Sequence, residues 1–308
     1  SELLENTLRV AEMCEDDVLP GRATLPQLFD DDRSALENIV RVNASLVYGP
    51  LKKHQLQRLN YEMSRITRLG FSTHFLAAWD FCRWAREHGI HMSGRGSVVD
   101  SAVAFVLGFS RIDAMKHRLH FDRFLPEDGS KRPDIDIDFE AHKREDVRRY
   151  IIQKYGSDRV AAVCAIGTFM TRGIVREVGK VMGLPPETIS FLAKRLHGGV
   201  APDQLESALE KRPELRDSNI SKERFRWVIQ LASSLMDLPR NVRTHSSGVI
   251  ICNQPICETV PVMWSASEGE GKHLSMIQWD KRSAKHFFDK FDILCLRGQD
   301  VISGVEER

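Results

Sequence analysis

The chain has 308 residues and a formal net charge of +1, with 42% hydrophobic and 28% charged residues. This composition excludes collagen-like and disordered chains and predicts a globular protein with two modest domains, or one large domain with an insertion. The charge balance excludes a domain that is basic over its whole surface, so any site for a polyanion has to be local.

The chain has no sequence feature of a membrane or secreted protein. Its longest apolar run, residues 102–108, is far shorter than the roughly 20 residues of a membrane-spanning helix, and no signal segment opens the chain. The six cysteines are scattered, which is typical of reduced thiols. We therefore expect a cytoplasmic protein that does not contact a membrane. The charged ending at 305–308, directly after a helix-like segment, indicates a piece of a longer protein.

In chain order, the first half alternates helices with short strands. Residues 1–60 predict helices and irregular segments, with an acidic helix start at 30–32. Apolar residues at helical spacing between 56 and 89, broken at 70–72, predict two helices. A short strand, a glycine-rich turn at 93–97 and a helix follow. Residues 133–140 alternate between acidic and apolar, which predicts a strand, and a basic helix covers 143–155.

The second half predicts a helical insertion between strands. Helical periodicity fills residues 166–243, with breaks at 183–186, 198–199 and 213. Strand composition then returns at 248–251, 276–279 and 287–296.

Three carboxylates share one face of the predicted strand at 133–140. Asp134, Asp136 and Asp138 lie two residues apart, and side chains alternate across a strand. Like charges this close repel, and a divalent cation is the obvious compensation. Asp292 or Asp289, in the later strand-like segment, is suited to complete the site. Two Mg²⁺ ions held in this way would serve phosphoryl or nucleotidyl transfer.

Two other interpretations of the acidic strand stay open. A solvated acidic stripe on an exposed strand needs no ligand. A calcium loop is the second alternative, because Glu145 stands eleven residues after Asp134. Phe139, however, occupies the turn position that favours glycine in such a loop.

The glycine-rich turn is a candidate phosphate site. Gly94, Arg95, Gly96 and Ser97 precede a predicted helix, and backbone amides at a helix start beside an arginine bind phosphate. The turn lacks the third glycine of the dinucleotide fingerprint and the lysine of a P-loop, so an ordinary tight turn is the alternative. Together with the acidic strand, the turn indicates a site for a triphosphate and metals.

Several motifs, in matching order, resemble the bacterial C-family DNA polymerases, the family of the DNA polymerase III alpha subunit. The similar stretches are SGRGSVVDSAVAFVLGFSRID, FDRFLPEDGSKRPDIDIDFE and KFDIL. The resemblance extends over essentially the whole chain. The phrase PDIDIDFE and the residues Gln278, Trp279 and Asp280 favour the error-prone branch of the family.

The resemblance implies an α+β fold, namely a polymerase β-like nucleotidyltransferase palm with a mixed sheet, and an inserted helical thumb. On this basis residues 1–165 are an N-terminal helical approach and the first part of the palm, 166–247 are the thumb, and 248–308 are the second part of the palm. The thumb would track a DNA duplex through its basic residues Arg172, Arg176, Lys180, Lys194 and Arg195.

The resemblance also assigns individual residues. The catalytic, metal-binding aspartates fall on Asp134, Asp136 and Asp292, with Asp138 as a neighbour. His245 lies in a basic loop of the family, and its role stays open between catalysis and a structural hydrogen bond. Family members usually have small residues after the Gly-Ser pair, whereas this chain has Val98, Val99 and Asp100 there. The incoming triphosphate would be held by Arg95, Gly96, Ser97, Arg123 and Lys290.

The implied activity is template-directed DNA polymerisation, in bacterial replication or error-prone repair synthesis. A nucleotide would pass from a dNTP to a primer 3′-hydroxyl with two Mg²⁺ ions, for which Mn²⁺ can substitute. The implied partners are primer–template DNA, a dNTP, a sliding clamp and other replisome or repair subunits. Family members carry further domains, so this chain alone can be inactive. Two alternatives stay open: a stand-alone nucleotidyltransferase acting on a small acceptor, and a non-catalytic DNA-binding fragment.

Overall fold

The computed structural model of the chain describes residues 2–14, 21–195, 222–265 and 274–306. The chain divides into two compact units, one formed by Ser1–Cys164 with Thr244–Arg308 and the other by Ala165–Arg243. The domain boundaries expected from the sequence stay a prediction. Among the described helices, none is both long enough and apolar enough to span a membrane.

Four helices open the first unit, and two of their ends have clear sequence causes. The Asp31 carboxylate accepts hydrogen bonds from the backbone nitrogens of Arg33 and Ser34 at 3.0 and 3.2 Å, which caps the second helix. Gly70, with φ +76°, provides the left-handed conformation needed between the third and fourth helices. The helices are α1 (Glu2–Glu12), α2 (Asp32–Tyr48), α3 (Lys53–Arg68) and α4 (Ser72–Glu87).

A strand, a tight turn and a short helix follow. Strand β1 is Met92–Arg95, a 3₁₀ turn covers Gly96–Asp100, and α5 is Ala102–Val106. The buried carboxylate of Glu62 on α3 accepts bonds from the backbone nitrogens of Ala102 and Val103, both at 3.0 Å. The Glu62 carboxylate thus satisfies the first backbone amides of α5. Through this contact α3 holds the start of the helix that follows the glycine-rich turn.

The remaining elements complete the sheet and the second unit. In chain order they are β2 (Asp136–Glu140), α6 (Arg144–Tyr155), β3 (Val160–Thr168), α7 (Thr171–Val181), α8 (Pro186–Arg195), α9 (Lys222–Leu235), β4 (Pro239–Ile251), β5 (Val262–Trp264), β6 (Ser275–Asp280), α10 (Lys281–Phe287), β7 (Lys290–Leu296) and α11 (Arg297–Glu306).

The seven described strands form one mixed sheet in the order β1-β2-β7-β4-β3-β6-β5. Strand β2 is parallel to β7 and antiparallel to β1. Strand β7 is also antiparallel to β4. At the other end, β6 is parallel to β3 and antiparallel to β5.

The main core of the first unit lies against the apolar face of β2 and β7. Ile135, Ile137 and Phe139 are at most 1% exposed, as the alternation predicts, and they join Phe291 and Ile293 in one cluster. Side chains from α2 to α5 complete this cluster. Because the apolar side chains fill one face, the acidic residues of β2 and β7 are confined to the other.

The second unit has its own small core. Helices α7, α8 and α9 pack through apolar residues that include Ile174, Val178, Leu192 and Val228. The predicted breaks at 198–199 and 213 and the side chain of Arg195 lie outside the described residues. The other basic residues predicted on the helices are exposed: Arg172, Arg176, Lys180 and Lys194.

Strand β4 begins nine residues before the strand predicted at 248–251. Its first half, PRNVRTHSS, is polar and has no apolar alternation, so sequence periodicity did not reveal it. The end of β3 and the start of β4 belong to the second unit. This unit therefore contains strand as well as helix.

The α+β class with a mixed sheet is observed, but the assignment as a polymerase β-like palm with an inserted helical thumb is wrong. Periodicity identifies helices and strands one at a time. A fold is defined by the order and connections of the strands, which depend on tertiary contacts that no single motif encodes.

Candidate metal centre and nucleotide loop

Three predicted ligands come together at β2 and β7. The parallel pairing of these strands places Asp136 directly beside Asp292, so their side chains lie on the same face of the sheet. Asp134 lies two residues before Asp136. One carboxylate oxygen from each of Asp134, Asp136 and Asp292 lies within 4.8 Å of the other two. These distances allow the three carboxylates to bind a common cation.

Lys290 is in direct contact with this carboxylate cluster. It lies two residues before Asp292 on β7, hence on the same face, and its Nζ contacts Asp292 Oδ2. The same Nζ lies 3.7 Å from Asp134 Oδ1. Lys281, at the start of α10, approaches Asp292 Oδ2 to 3.9 Å. The positive charges of both lysines therefore lie close to Asp292 Oδ2.

The carboxylates differ in how readily they ionise. Burial, together with repulsion from Asp134 and Asp292, raises the pKa of Asp136 to about 6. Burial also opposes ionisation of Asp292, but Lys290, Lys281 and the Ser247 hydrogen bond together outweigh it and lower the pKa of Asp292 below its ordinary value. Asp136 is therefore the harder of the two carboxyl groups to ionise.

The cluster fits a divalent metal. Its donors are carboxylate oxygens, the ligands that Mg²⁺ and Mn²⁺ prefer, and repulsion from Asp134 and Asp292 adds to burial in raising the pKa of Asp136. A bound cation would relieve the repulsion that raises this pKa. The residues present therefore fit a divalent cation.

The two other candidate aspartates have different partners. Asp138 is buried, and its Oδ1 lies 3.6 Å from Arg95 Nη1. Asp289 accepts a hydrogen bond from Arg22 at 2.8 Å and also contacts Arg132. Because two guanidinium groups already neutralise Asp289, Asp292 is the residue of the later segment that joins the cluster.

The glycine-rich turn borders the carboxylates. Arg95, the last residue of β1, pairs with Asp136 across the antiparallel strands. Gly96 has φ +68°, and a Cβ atom there would lie 3.6 Å from Asp136 Oδ2. The Ser97 hydroxyl lies 3.5 Å from Lys131 Nζ. The predicted phosphate loop therefore lies beside the predicted metal ligands, with a lysine that the sequence interpretation did not include.

Arg123 has a different partner. Its Nη1 lies 3.6 Å from Asp100 Oδ2, and its side chain is 73% exposed whereas that of Asp100 is 3% exposed. Asp100, the departure from the family pattern, therefore faces Arg123.

Sequence reasoning missed Ser247. Its hydroxyl donates a hydrogen bond to Asp292 Oδ1 at 3.0 Å. His245 Nδ1 accepts from the backbone nitrogen of Gly248 at 3.1 Å, and burial lowers the pKa of His245. The segment was noted for its histidine alone, because a serine in a polar stretch carries no signal of its own.

A second group of possible ligands lies at the end of β2. His142 Nδ1 is 2.8 Å from Asp300 Oδ1, and its Nε2 is 3.3 Å from the buried Glu140 Oε2. Lys143 Nζ also lies 3.1 Å from Glu140 Oε2. Both carboxylates of this group therefore have partners: Glu140 faces His142 and Lys143, and Asp300 faces His142.

The sequence matches a family model described as the bacterial DNA polymerase III alpha NTPase domain, over residues 34–295. This description names an NTPase domain and not a palm, which overturns the palm and thumb assignment.

Curated relatives are of two kinds. The chain is 38% identical to an error-prone DNA polymerase of Symbiobacterium thermophilum, over 96% of the chain and 27% of the relative. It is 36% identical to a DNA polymerase III subunit alpha of Halalkalibacterium halodurans, over 87% and 24%. It is 35% identical to the corresponding subunit of Bacillus subtilis, over 99% and 27%. The chain thus spans about a quarter of the length of these relatives.

Proposed function

Because the chain belongs to the family of the bacterial DNA polymerase III alpha subunits, we propose that it carries the catalytic carboxylates for nucleotidyl transfer from a dNTP to a primer 3′-hydroxyl. The observation that supports this proposal is the meeting of Asp134, Asp136 and Asp292 from two distant segments. The relatives include replicative and error-prone enzymes, so the proposal covers synthesis in either setting.

Asp134, Asp136 and Asp292 would hold two Mg²⁺ ions, or Mn²⁺ in their place. Divalent ions at such a site supply charge neutralisation for the phosphates and activation of the attacking hydroxyl. At pH 7 Asp136 is mostly ionised, since its pKa of about 6 lies below that pH. Asp136 therefore offers ionised oxygen ligands at this pH.

The chain's own cations and backbone amides would position the triphosphate. Arg95 and Gly96 border Asp136, and the amides of the turn are donors of the kind that bind phosphate. Lys290 is the cation nearest the carboxylates. It keeps the cluster from carrying its full negative charge and attracts an anionic substrate. Arg123, which faces Asp100, would contribute at the more exposed side.

Primer–template DNA is the proposed second substrate. The exposed basic residues of the second unit, Arg172, Arg176, Lys180 and Lys194, are suited to neutralise backbone phosphates. If they do so, DNA binding weakens as the salt concentration rises. The slope of the logarithm of the binding constant against the logarithm of the salt concentration then becomes less steep as each basic residue is replaced. Contacts with a sliding clamp and other subunits stay a prediction for the protein as a whole.

The test is metal-dependent dNTP binding by calorimetry, with Mn²⁺ present, on wild type and four single variants. Asp134→Asn, Asp136→Asn and Asp292→Asn are expected to abolish binding. Asp158→Asn is the control, since it makes the same change on an exposed turn outside the cluster. Binding that persists in Asp136→Asn, or is lost equally in Asp158→Asn, would refute the assignment.

A labelled primer separates the alternative functions. Incorporation that requires primer and template, and that Asp136→Asn eliminates, supports polymerisation. Turnover of a dNTP with a small acceptor and no primer would instead favour a stand-alone nucleotidyltransferase. DNA binding that is identical in wild type and Asp136→Asn, without any metal-dependent dNTP binding, would favour a non-catalytic fragment.

A further inference from the structure

We propose that Ser247 is a positioning residue for Asp292. The Ser247 hydroxyl determines which carboxylate oxygen of Asp292 is presented to the metal. This inference rests on the proposed function, because it assigns Ser247 a role toward the same carboxylate cluster. It adds a residue to which the sequence interpretation assigned no role.

The two oxygens of Asp292 have different partners. Oδ1 accepts the hydrogen bond from Ser247 Oγ at 3.0 Å. Oδ2 faces Lys290 and Lys281. Ser247 and Asp292 are 2% and 5% exposed, so water competes little for this bond. The hydroxyl therefore fixes the rotation of the carboxylate about its Cβ–Cγ bond.

The pairing of β4 with β7 brings Ser247 close to Asp292. Gly248 lies directly opposite Asp292 in the antiparallel pair of β4 and β7. His245 Nδ1 accepts from the Gly248 backbone nitrogen at 3.1 Å and lies 3.4 Å from the Ser247 nitrogen. These contacts give His245 a structural role in shaping the segment that carries Ser247.

Two arginines hold the same segment from α6. The Ser246 carbonyl accepts from Arg144 Nη1 at 3.0 Å and from Arg148 Nη2 at 2.8 Å. The backbone is therefore held on both sides of Ser247. A hydroxyl held in this way can orient a neighbouring carboxylate with little loss of conformational entropy on metal binding.

A neutral donor suits this task better than a third cation would. Lys290 and Lys281 already place positive charge on Oδ2, and further positive charge would compete with a metal ion. The Ser247 hydroxyl satisfies one lone pair of Asp292 without adding charge. Hydrogen-bonding partners of this kind typically contribute 10- to 100-fold to metal affinity.

The experiment is a Mn²⁺ titration of the chain followed by electron paramagnetic resonance, which reports free Mn²⁺ directly. Ser247→Ala is expected to weaken Mn²⁺ binding by about 10- to 100-fold, and Ser247→Thr, which keeps the hydroxyl, is expected to restore most of it. Ser246→Ala is the matched control, because its contacts with Arg144 and Arg148 use the backbone carbonyl. Thermal unfolding of each variant verifies that the fold is retained.

The outcomes separate this inference from the proposed function. If wild type binds Mn²⁺, Asp136→Asn does not, and Ser247→Ala binds as tightly as wild type, the positioning role is wrong and the metal site stands. Equal weakening by Ser246→Ala would also overturn the role. If wild type itself fails to bind, or Asp136→Asn binds equally well, the proposed function fails and the role of Ser247 falls with it. Should Ser247→Ala unfold, Ser247→Cys keeps the volume with a weaker donor and is expected to show the same loss.

Discussion

Asp136 and Asp292 are direct neighbours on the parallel strands β2 and β7, although the segment that forms the second unit lies between them in the chain. Their carboxylates repel each other in the metal-free protein, and this repulsion contributes to the raised pKa of Asp136. Folding therefore brings these two carboxylates together at a cost in free energy that protonation of Asp136 relieves.

The first prediction concerns stability. The pKa of Asp136 rises from 3.8 in the unfolded chain to about 6 in the folded chain, so folding favours its protonated form. This contribution is fully present below about pH 4 and is lost as the pH rises through about 6. Asp136→Asn mimics the protonated form, and we expect it to stabilise the metal-free protein at pH 7 by about 1 kcal/mol, after discounting for partial exposure.

Urea unfolding at pH 7 and at pH 4 checks this prediction. The increase in unfolding free energy caused by Asp136→Asn should vanish at pH 4, where Asp136 of the folded wild type is itself protonated. Asp158→Asn, on an exposed turn, is the control and should change stability little at either pH. A loss of stability in Asp136→Asn at pH 7 would contradict the argument.

The second prediction is the pH dependence of metal binding. Since a metal and a proton compete for Asp136, whose pKa is about 6, Mn²⁺ affinity should be nearly constant above pH 7. Below pH 6 it should fall by up to about tenfold per pH unit. Titrations at pH 5, 6 and 7 measure this directly. An affinity that does not change between pH 5 and pH 7 would exclude Asp136 as a ligand.

Much of the first unit was predictable from sequence because its elements carry local signals. Gly70 marks the break between α3 and α4, and the apolar face of β2 follows from the alternation of Ile135, Ile137 and Phe139. The same alternation predicted that Asp134, Asp136 and Asp138 share the opposite, acidic face of this strand. That Asp292 and not Asp289 joins it came from family resemblance, since both residues lie in one acidic, strand-like segment.

The rest depends on contacts between distant residues. Ser247 contacts Asp292 only because β4 lies beside β7, and strand order has no local signature. The Asp100 carboxylate faces Arg123 for the same reason. The palm assignment failed at this level too, because motifs that identify a chemistry do not determine the connections of a sheet.

The third prediction concerns Lys290. Its ion pair with Asp292 is nearly buried, with side-chain exposures of 11% and 6%. Lys290→Met leaves the carboxylates uncompensated, so we expect a loss of about 3 kcal/mol of unfolding free energy. Binding of bare Mn²⁺ should become tighter, because the site is more negative, whereas binding of a dNTP should weaken.

Chemical denaturation and calorimetry with and without a dNTP measure these opposite effects. Lys285→Met, on the exposed side of α10, is the control for the loss of one surface charge. If Lys290→Met weakened bare Mn²⁺ binding instead, the lysine would be organising the carboxylates and not only compensating them.

The fourth prediction tests how closely the edge strand β1 is packed. A Cβ atom on Gly94 would lie 2.7 Å from the Phe109 carbonyl oxygen, a backbone atom that cannot move aside easily. We expect Gly94→Ala to cost about 1–3 kcal/mol and to weaken dNTP binding, because it displaces the strand that carries Arg95. Gly21→Ala, where no atom lies within 4 Å of the added Cβ, should be neutral in both measurements.

We propose above that the carboxylates of Asp134, Asp136 and Asp292 bind the metal ions used with a nucleoside triphosphate. The most direct measurement is anomalous diffraction from crystals of the chain grown with Mn²⁺ and a non-hydrolysable dNTP analogue. We expect Mn²⁺ peaks at bonding distance from these three side chains, with the triphosphate beside Gly96. Peaks at Glu140, His142 and Asp300 instead, with none at Asp136, would contradict it.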